Sequence, residues 1–514
     1  MNFEVYNSIR DKSFYWGVVF MELQKIKKGI RKWAAIYLGA VSCILIPLFM
    51  RHGYYSLIYW KSRAYLYVAI PAAAVVAVVE AADLFLKLTR RTDKAAGKLK
   101  SGICIKKPPV SVILMLSIAA WSLFCSYMSQ NPGLSMMGTA GWSMGSLMTT
   151  VLVLSTIIVS RYFDLKPYML FAVMAVNIII NGFAIIQSAG IDLFGLLKNI
   201  DKKQVYTFLS TIGQKNSYSG YLCLLLPFFW GAFMTCKDRI TELLYGIFAV
   251  FGFMGIIVAE SDSTYAGIGI CILFMLLYVF GSEQYVKRSS ILLFLYGACL
   301  MAVRYLPVFS GKIARFKGVS KAMIGKPVAE ILCISGILLY FLGWKIIGGK
   351  WGKYILIAVE LVLLAGIGYY AANTAAHFND KWGTRRGMIW RVGWEQFLKF
   401  PLRNKLIGIG PELLIVLYKD IRDASGLTVV SAHCEPLQVL LTQGIVGLGL
   451  YFAYWGYMLK LFFGRKLWKT STAPFFFPLA AYWGQSIFCS VYPVTGVLFS
   501  FVSGMYIRAA ETSQ

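Results

Sequence analysis

The chain has 514 residues, 58% of them hydrophobic and 14% charged, with mean hydropathy +0.65. Soluble globular chains average about 45–50% apolar and about 25% charged residues, so a water-soluble protein is excluded, together with disorder, coiled coil and collagen. The net charge of +28 would point to nucleic acid in a soluble protein. In a membrane chain Lys and Arg collect in cytoplasmic loops, and nucleic acid is not an expected partner. The ten cysteines form no Cys-x-x-Cys pair and no metal-ligand spacing. Most, including Cys43, Cys125, Cys223, Cys271 and Cys333, lie in apolar runs, where a thiol acts as a small hydrophobe. Neither a disulfide framework nor a metal site is expected.

Residues 1–33 form a polar tail ending in the basic run Lys25-Ile-Lys27-Lys28-Gly-Ile-Arg31-Lys32. No small-residue cleavage site follows the first apolar stretch, so a cleavable signal peptide is not expected. A membrane span needs about 20 mostly apolar residues. Fourteen segments qualify, roughly 34–50, 66–88, 109–127, 145–161, 168–187, 218–235, 243–259, 264–281, 290–306, 327–346, 354–372, 434–462, 475–490 and 494–509. The expected fold is all-α: a polytopic membrane bundle of about 12–14 transmembrane helices with one long external loop between late helices. Its parts are a cytoplasmic tail (1–33), a transmembrane bundle (34–372), a long external loop (373–433) and C-terminal transmembrane helices (434–514).

Lys/Arg bias sets orientation. The tail carries seven Lys/Arg, and 87–107 holds Lys87, Arg90, Arg91, Lys94, Lys98, Lys100, Lys106 and Lys107; both belong in the cytoplasm. Threading the spans from there keeps the basic linkers 236–242, 282–289, 347–353 and 463–474 inside. It sends 188–217, 307–326 and 373–433 to the external face. Two of these break the trend. Segment 307–326 contains Lys312, Arg315, Lys317, Lys321 and Lys326, and 373–433 has nine Lys/Arg against five acids. One reading is a site for an anionic substrate. The other, for 307–326, is a miscounted span.

In 383–396, Trp390, Trp394 and the following Phe397 recur at helical spacing. This predicts an amphipathic helix at the membrane surface, aromatics in the interface and arginines in solvent. Arg386 lies just before it, where a guanidinium and free backbone N–H groups together suit a phosphate. Arg385 is its neighbour. Arg391 has two open readings, phosphate or lipid headgroups. Gly408-Ile-Gly410-Pro411 is a tight turn; without a preceding strand and a third glycine it is no nucleotide loop. His433 is one of three histidines, with His52 and His377, and stands where the long loop enters a span. It reads either as a structural interfacial side chain or as a general base. Pro436 suits the first turn of the helix that follows.

Taken in order, these features resemble the O-antigen ligase and O-antigen polymerase superfamily of bacterial envelope enzymes. The resemblance rests on Arg386/Trp390, Pro401, Gly408/Gly410/Pro411, His433, Leu437/Gln438 and Gly444/Gly447. It also rests on Gln214-Lys215-Asn216-Ser-Tyr-Ser-Gly-Tyr-Leu running to Pro227, and on Asn131-Pro-Gly running through Gly138 to Gly145. It covers about residues 128–462. Two departures stand out: Glu260-Ser-Asp-Ser-Thr264 occupies the place of a Ser-Arg pair, and Cys434 that of an Asn.

The resemblance implies a membrane-embedded glycosyltransferase of the GT-C type in the bacterial inner membrane, working on the external face. It would move a glycan from undecaprenyl diphosphate to a glycan or lipid acceptor, without metal or other cofactor, among other polysaccharide-assembly proteins and membrane lipid. Arg386, with Arg315 or Arg304 in place of the missing arginine and with Arg391 and Arg385 nearby, would bind the diphosphate. His433 would take the acceptor hydroxyl's proton in an inverting attack. Glu435 would orient the imidazole, an awkward task two residues away, and Asn216 and Lys215 would line the site. The rival classes are a flippase for lipid-linked sugars, with Glu80, Asp83 and Glu360 as intramembrane candidates, and a non-catalytic envelope subunit. For Glu80 and Asp83 interfacial placement is the favoured reading.

Overall fold

The computed structural model describes residues 22, 24–95, 108–139, 141–198, 200–201, 204–310, 316–325, 327–419 and 429–512. The protein is an all-α polytopic bundle. Every predicted apolar segment is helical. The helices are α1 Gln24–Leu48, α2 Leu57–Ala95, α3 Val110–Tyr127, α4 Ser146–Tyr162, α5 Pro167–Ser188, α6 Lys215–Thr235, α7 Arg239–Ala259, α8 Asp262–Val279, α9 Glu283–Tyr305, α10 Val328–Ile347 and α11 Gly352–Ala376. After the long loop come α14 Glu435–Gly464, α15 Ala473–Ser486 and α16 Pro493–Thr512. Within that loop, among the described residues, lie α12 Trp382–Lys399, α13 Leu402–Ile407 and a single turn, Leu414–Leu417. Among the described residues eleven helices are long and apolar enough to cross a membrane. A two-residue hairpin pairs Phe208–Leu209 with Gly213–Gln214.

Helix α6 is the axis of the bundle, with Tyr218, Tyr221, Cys223, Leu224 and Leu226 fully buried. Lipid tails are as apolar as Leu, so membrane helices associate through close approach of small residues. Gly231 lies against Pro474, where an added Cβ would sit 2.6 Å away, and Gly267 lies against the Ala481 carbonyl. In contrast, α11 presents Ile357, Leu361, Val362 and Leu364 outward.

Helix α1 begins ten residues before the predicted span, because its basic run has partners. Lys27 reaches Asp83 at 2.8 Å, and Arg31 engages both Asp83 and Glu80. Lys32 and Arg508 share Asp164. This charged layer ties α1, α2, α4 and α16 together at one end of the bundle. Both Glu80 and Asp83 are thereby held in ion pairs.

At the opposite end α14 is interrupted. Gly444 has φ 69° and ψ −170°, so residues 435–443 form a half-helix. The break takes carbonyls out of the helical ladder, and an unpaired carbonyl in an apolar layer is costly. The glycine turn supplies the donors: Ile409 N–H donates to Leu441 O at 3.1 Å and Gly410 N–H to Thr442 O at 2.9 Å. Trp121 Nε1 caps Gln443 O at 3.0 Å. A Cβ on Gly444 would sit 2.2 Å from Leu406 O. Gly444→Ala should therefore cost about 2 kcal/mol or more, read as a lower Tm of the solubilised protein. Gly449→Ala, where a Cβ meets nothing within 4 Å, should be neutral; equal Tm values for the two variants would refute this account of the break.

Candidate active site

The glycine turn ends at Glu412, which has φ 64° and is 4% exposed. Its carboxylate accepts from Thr139 N at 3.1 Å, Thr139 Oγ1 at 2.7 Å and Met144 N at 2.7 Å. Burial pushes this carboxyl upward, and the three hydrogen bonds pull against that. The effect is to clamp the loop after α3 onto the late loop. That loop carries Trp142, whose ring packs on Tyr492 at 4.4 Å and stands edge-on to His433 at 6.2 Å.

His433 is held from behind. Ser431 Oγ donates to Ser490 Oγ at 2.7 Å, which donates to Gln438 Oε1 at 2.8 Å. Gln438 Oε1 also accepts from Ala432 N at 3.0 Å, and Ser431 Oγ accepts from His433 N at 3.1 Å. The backbone at His433 is left-handed, φ 49°, an uncommon conformation that this network sustains. Nδ1 is shielded and has no hydrogen-bond partner among the described residues. Burial first, and the charge of Arg386 second, lower the imidazole from its ordinary 6.5 to about 4. His433 is therefore neutral at pH 7 and able to accept a proton.

Arg386 follows three left-handed residues, Gly383, Thr384 and Arg385, and opens the regular part of α12. Its charge acts on His433, Cys489 and Tyr492, and it has no ion-pair partner among the described residues. Asn216, at the start of α6, neighbours the Tyr492 hydroxyl and accepts from Gln485 Nε2 through its carbonyl. Lys215 is beside it, but its ammonium is paired with Glu260 at 2.8 Å. The 260–264 segment reaches the site through Ser263, which accepts from Cys489 Sγ at 3.4 Å. Burial raises the Cys434 thiol to about 11, so it is an inert wall.

The structure thus brings together Arg386, His433 and Asn216, with Lys215 at the edge. Other sequence candidates lie elsewhere. Arg391 is exposed and forked between Asp380 (2.8 Å) and Glu395 (2.9 Å). Arg385 is exposed. Arg304 donates to Ile324 O at 3.1 Å and lies over Tyr305. Arg315 falls outside the described residues. Glu435 has an Oε2 with no partner among the described residues, makes no hydrogen bond to His433 there, and lines a cavity. That cavity, about 220 Å³, is walled by Met115, Leu152, Tyr454, Trp455 and Phe499, with Glu412, Glu435, Gln438 and Ser490 among its polar groups. The aromatic row of α12 also divides. Trp390 turns inward, Nε1 donating to Ala432 O at 2.9 Å, Phe397 is buried, and only Trp394 points out.

Sequence reasoning missed Glu412, Trp142 and Tyr492. The available signal for Glu412 was a lone carboxylate between Gly-Pro and an apolar run. No protein-family model matches the chain, and no curated protein matches it.

Two measurements test this geometry. Glu412→Ala strands three buried donors, each worth about 1–3 kcal/mol, and should lower Tm more than Glu412→Gln; unchanged melting would show that the clamp carries no load. For His433, the folded value lies below the unfolded one. Its contribution to stability is therefore complete above about pH 6.5 and lost as pH falls from there towards 4. His433→Gln should flatten that acid-side decline in a melting series.

Proposed function

We propose that the protein is a metal-independent, inverting membrane glycosyltransferase of cell-surface polysaccharide assembly, resembling the O-antigen polymerases and ligases. The observation that carries this reading is the pairing of a neutral, half-buried imidazole with an arginine that no carboxylate among the described residues neutralises, at one end of a membrane bundle. The tail and the basic linkers belong in the cytoplasm by charge bias. That threading sends 188–217, 307–326 and 373–433, with the loop 128–145, to the external side of a bacterial cytoplasmic membrane.

The donor is a glycan on undecaprenyl diphosphate. Arg386 and the free N–H groups opening α12 bind the diphosphate. The acceptor hydroxyl oxygen attacks the anomeric carbon from the face opposite the diphosphate. Its proton passes to His433, and the anomeric C–O bond breaks with its electron pair leaving on the diphosphate. Arg386 stabilises that developing charge. The anomeric configuration inverts. The acceptor is a glycan chain in a polymerase and a lipid core in a ligase.

The test is a deletion strain complemented with wild type, His433→Ala or Arg386→Lys. Lipid-linked intermediates and surface polysaccharide are resolved by gel and mass spectrometry. Loss of the base should cost about 10²–10⁴ in rate, and Arg386→Lys should also fail because a point charge lacks the bidentate fork. Single lipid-linked repeats accumulating outside identify a polymerase. Complete chains left on the carrier identify a ligase. Repeats trapped inside, or full polymer output from both variants at normal protein level, would overturn the transferase reading in favour of translocation or scaffolding.

A further inference from the structure

We infer that Phe378, Trp382, Trp390 and Phe488 form a saccharide subsite beside Arg386, which takes a sugar ring of the glycan whose phosphate end Arg386 holds. This rests on the transferase reading and deepens it. The four rings come from three places in the chain and converge. Trp382 and Trp390 stand four residues before and after Arg386. Their centroids are 5.2 Å apart. Phe378, just beyond α11, lies 6.3 Å from Trp390 at 27°, and Phe488, between α15 and α16, lies 6.4 Å from Trp390 at 23°. Trp382 is 6.4 Å from Phe488. Trp390 is pinned by its Nε1 bond to the carbonyl of Ala432, the residue before His433. The cluster therefore reaches from the residues that flank Arg386 in the chain to the residue before His433.

The rings are only partly covered, and Phe378 is 38% exposed. A core cluster would bury them, and a membrane anchor would aim them at lipid. The anchor is a different feature. Trp394 stacks with Phe397 at 5.7 Å, and Trp394, Leu398 and Leu402 make an exposed apolar stripe, at 51%, 54% and 73%. A pyranose ring has an apolar C–H face with positive edge character and a polar rim. The negative face of an aromatic ring attracts the first. Lys381 and Arg385, both exposed beside the cluster, suit the hydroxyls or a carboxylate on the second. Aromatic rings beside a small number of polar groups are a usual lining for a ligand.

The test uses full-length protein in nanodiscs and two probes: bare undecaprenyl diphosphate, and undecaprenyl diphosphate carrying the host's oligosaccharide. Trp382→Ala and the more exposed Phe378→Ala should each weaken the glycan-bearing probe roughly three- to tenfold and leave the bare probe unchanged. Trp382→Phe should recover most of the loss, and Trp394→Ala should alter neither affinity. Equal weakening of both probes would make the rings mere supports for Arg386 and overturn the subsite, as would unchanged binding of both. If wild-type protein binds neither probe, the transferase reading falls and the subsite with it.

Discussion

The constraint on which this end of the molecule depends is the satisfaction of backbone hydrogen bonds inside a membrane. A helix may break within the apolar layer only where other protein groups take up the freed carbonyls. At Gly444 the glycine turn does this, through Ile409 and Gly410. The two glycines are matched: a Cβ on Gly408 would meet the Thr442 carbonyl carbon at 2.2 Å, and one on Gly444 would meet Leu406 O at the same distance. Turn and break are one interlocked unit. It fixes where Glu412 points, and thereby which loop Glu412 captures.

From that capture the rest of the site follows. Thr139 and Met144 are drawn in, Trp142 is set between Tyr492 and His433, and the imidazole Nδ1 is shielded. Low local polarity makes each remaining charge count for more. One unneutralised guanidinium is then enough to bias its surroundings. The many surface arginines of the loop are weak by comparison. Arg391, forked between two carboxylates and exposed, belongs to that class.

Much of the fold was legible in the sequence, because spans are defined by length and apolarity alone, and the helices fall where those criteria put them. The site was legible in part. Arg386, His433 and Asn216 share an end of the bundle because alternating spans return their loops to one side, and that much can be counted. Partner choice cannot. Glu412 reaches donors 268 and 273 residues earlier, and nothing local in Gly-Pro-Glu distinguishes a clamp from a solvated acid. Lys215 looked available until Glu260, at a left-handed helix end, came within 2.8 Å. The 260 segment thus contributes a carboxylate and a serine at the site's edge, not a cation.

His433 owes its lowered basicity to burial first and to the charge of Arg386 second. Burial and Arg386 both oppose protonation. An anionic diphosphate on Arg386 would reverse the second of these influences, since an opposite charge nearby favours the imidazolium. On the transferase reading, the base is weakest when no donor is present and gains proton affinity as the donor binds. The proton it then accepts is stabilised by the charge that leaves with the diphosphate. Attack by the acceptor and departure of the leaving group are thereby coupled electrostatically, through one arginine and one histidine that share no hydrogen bond.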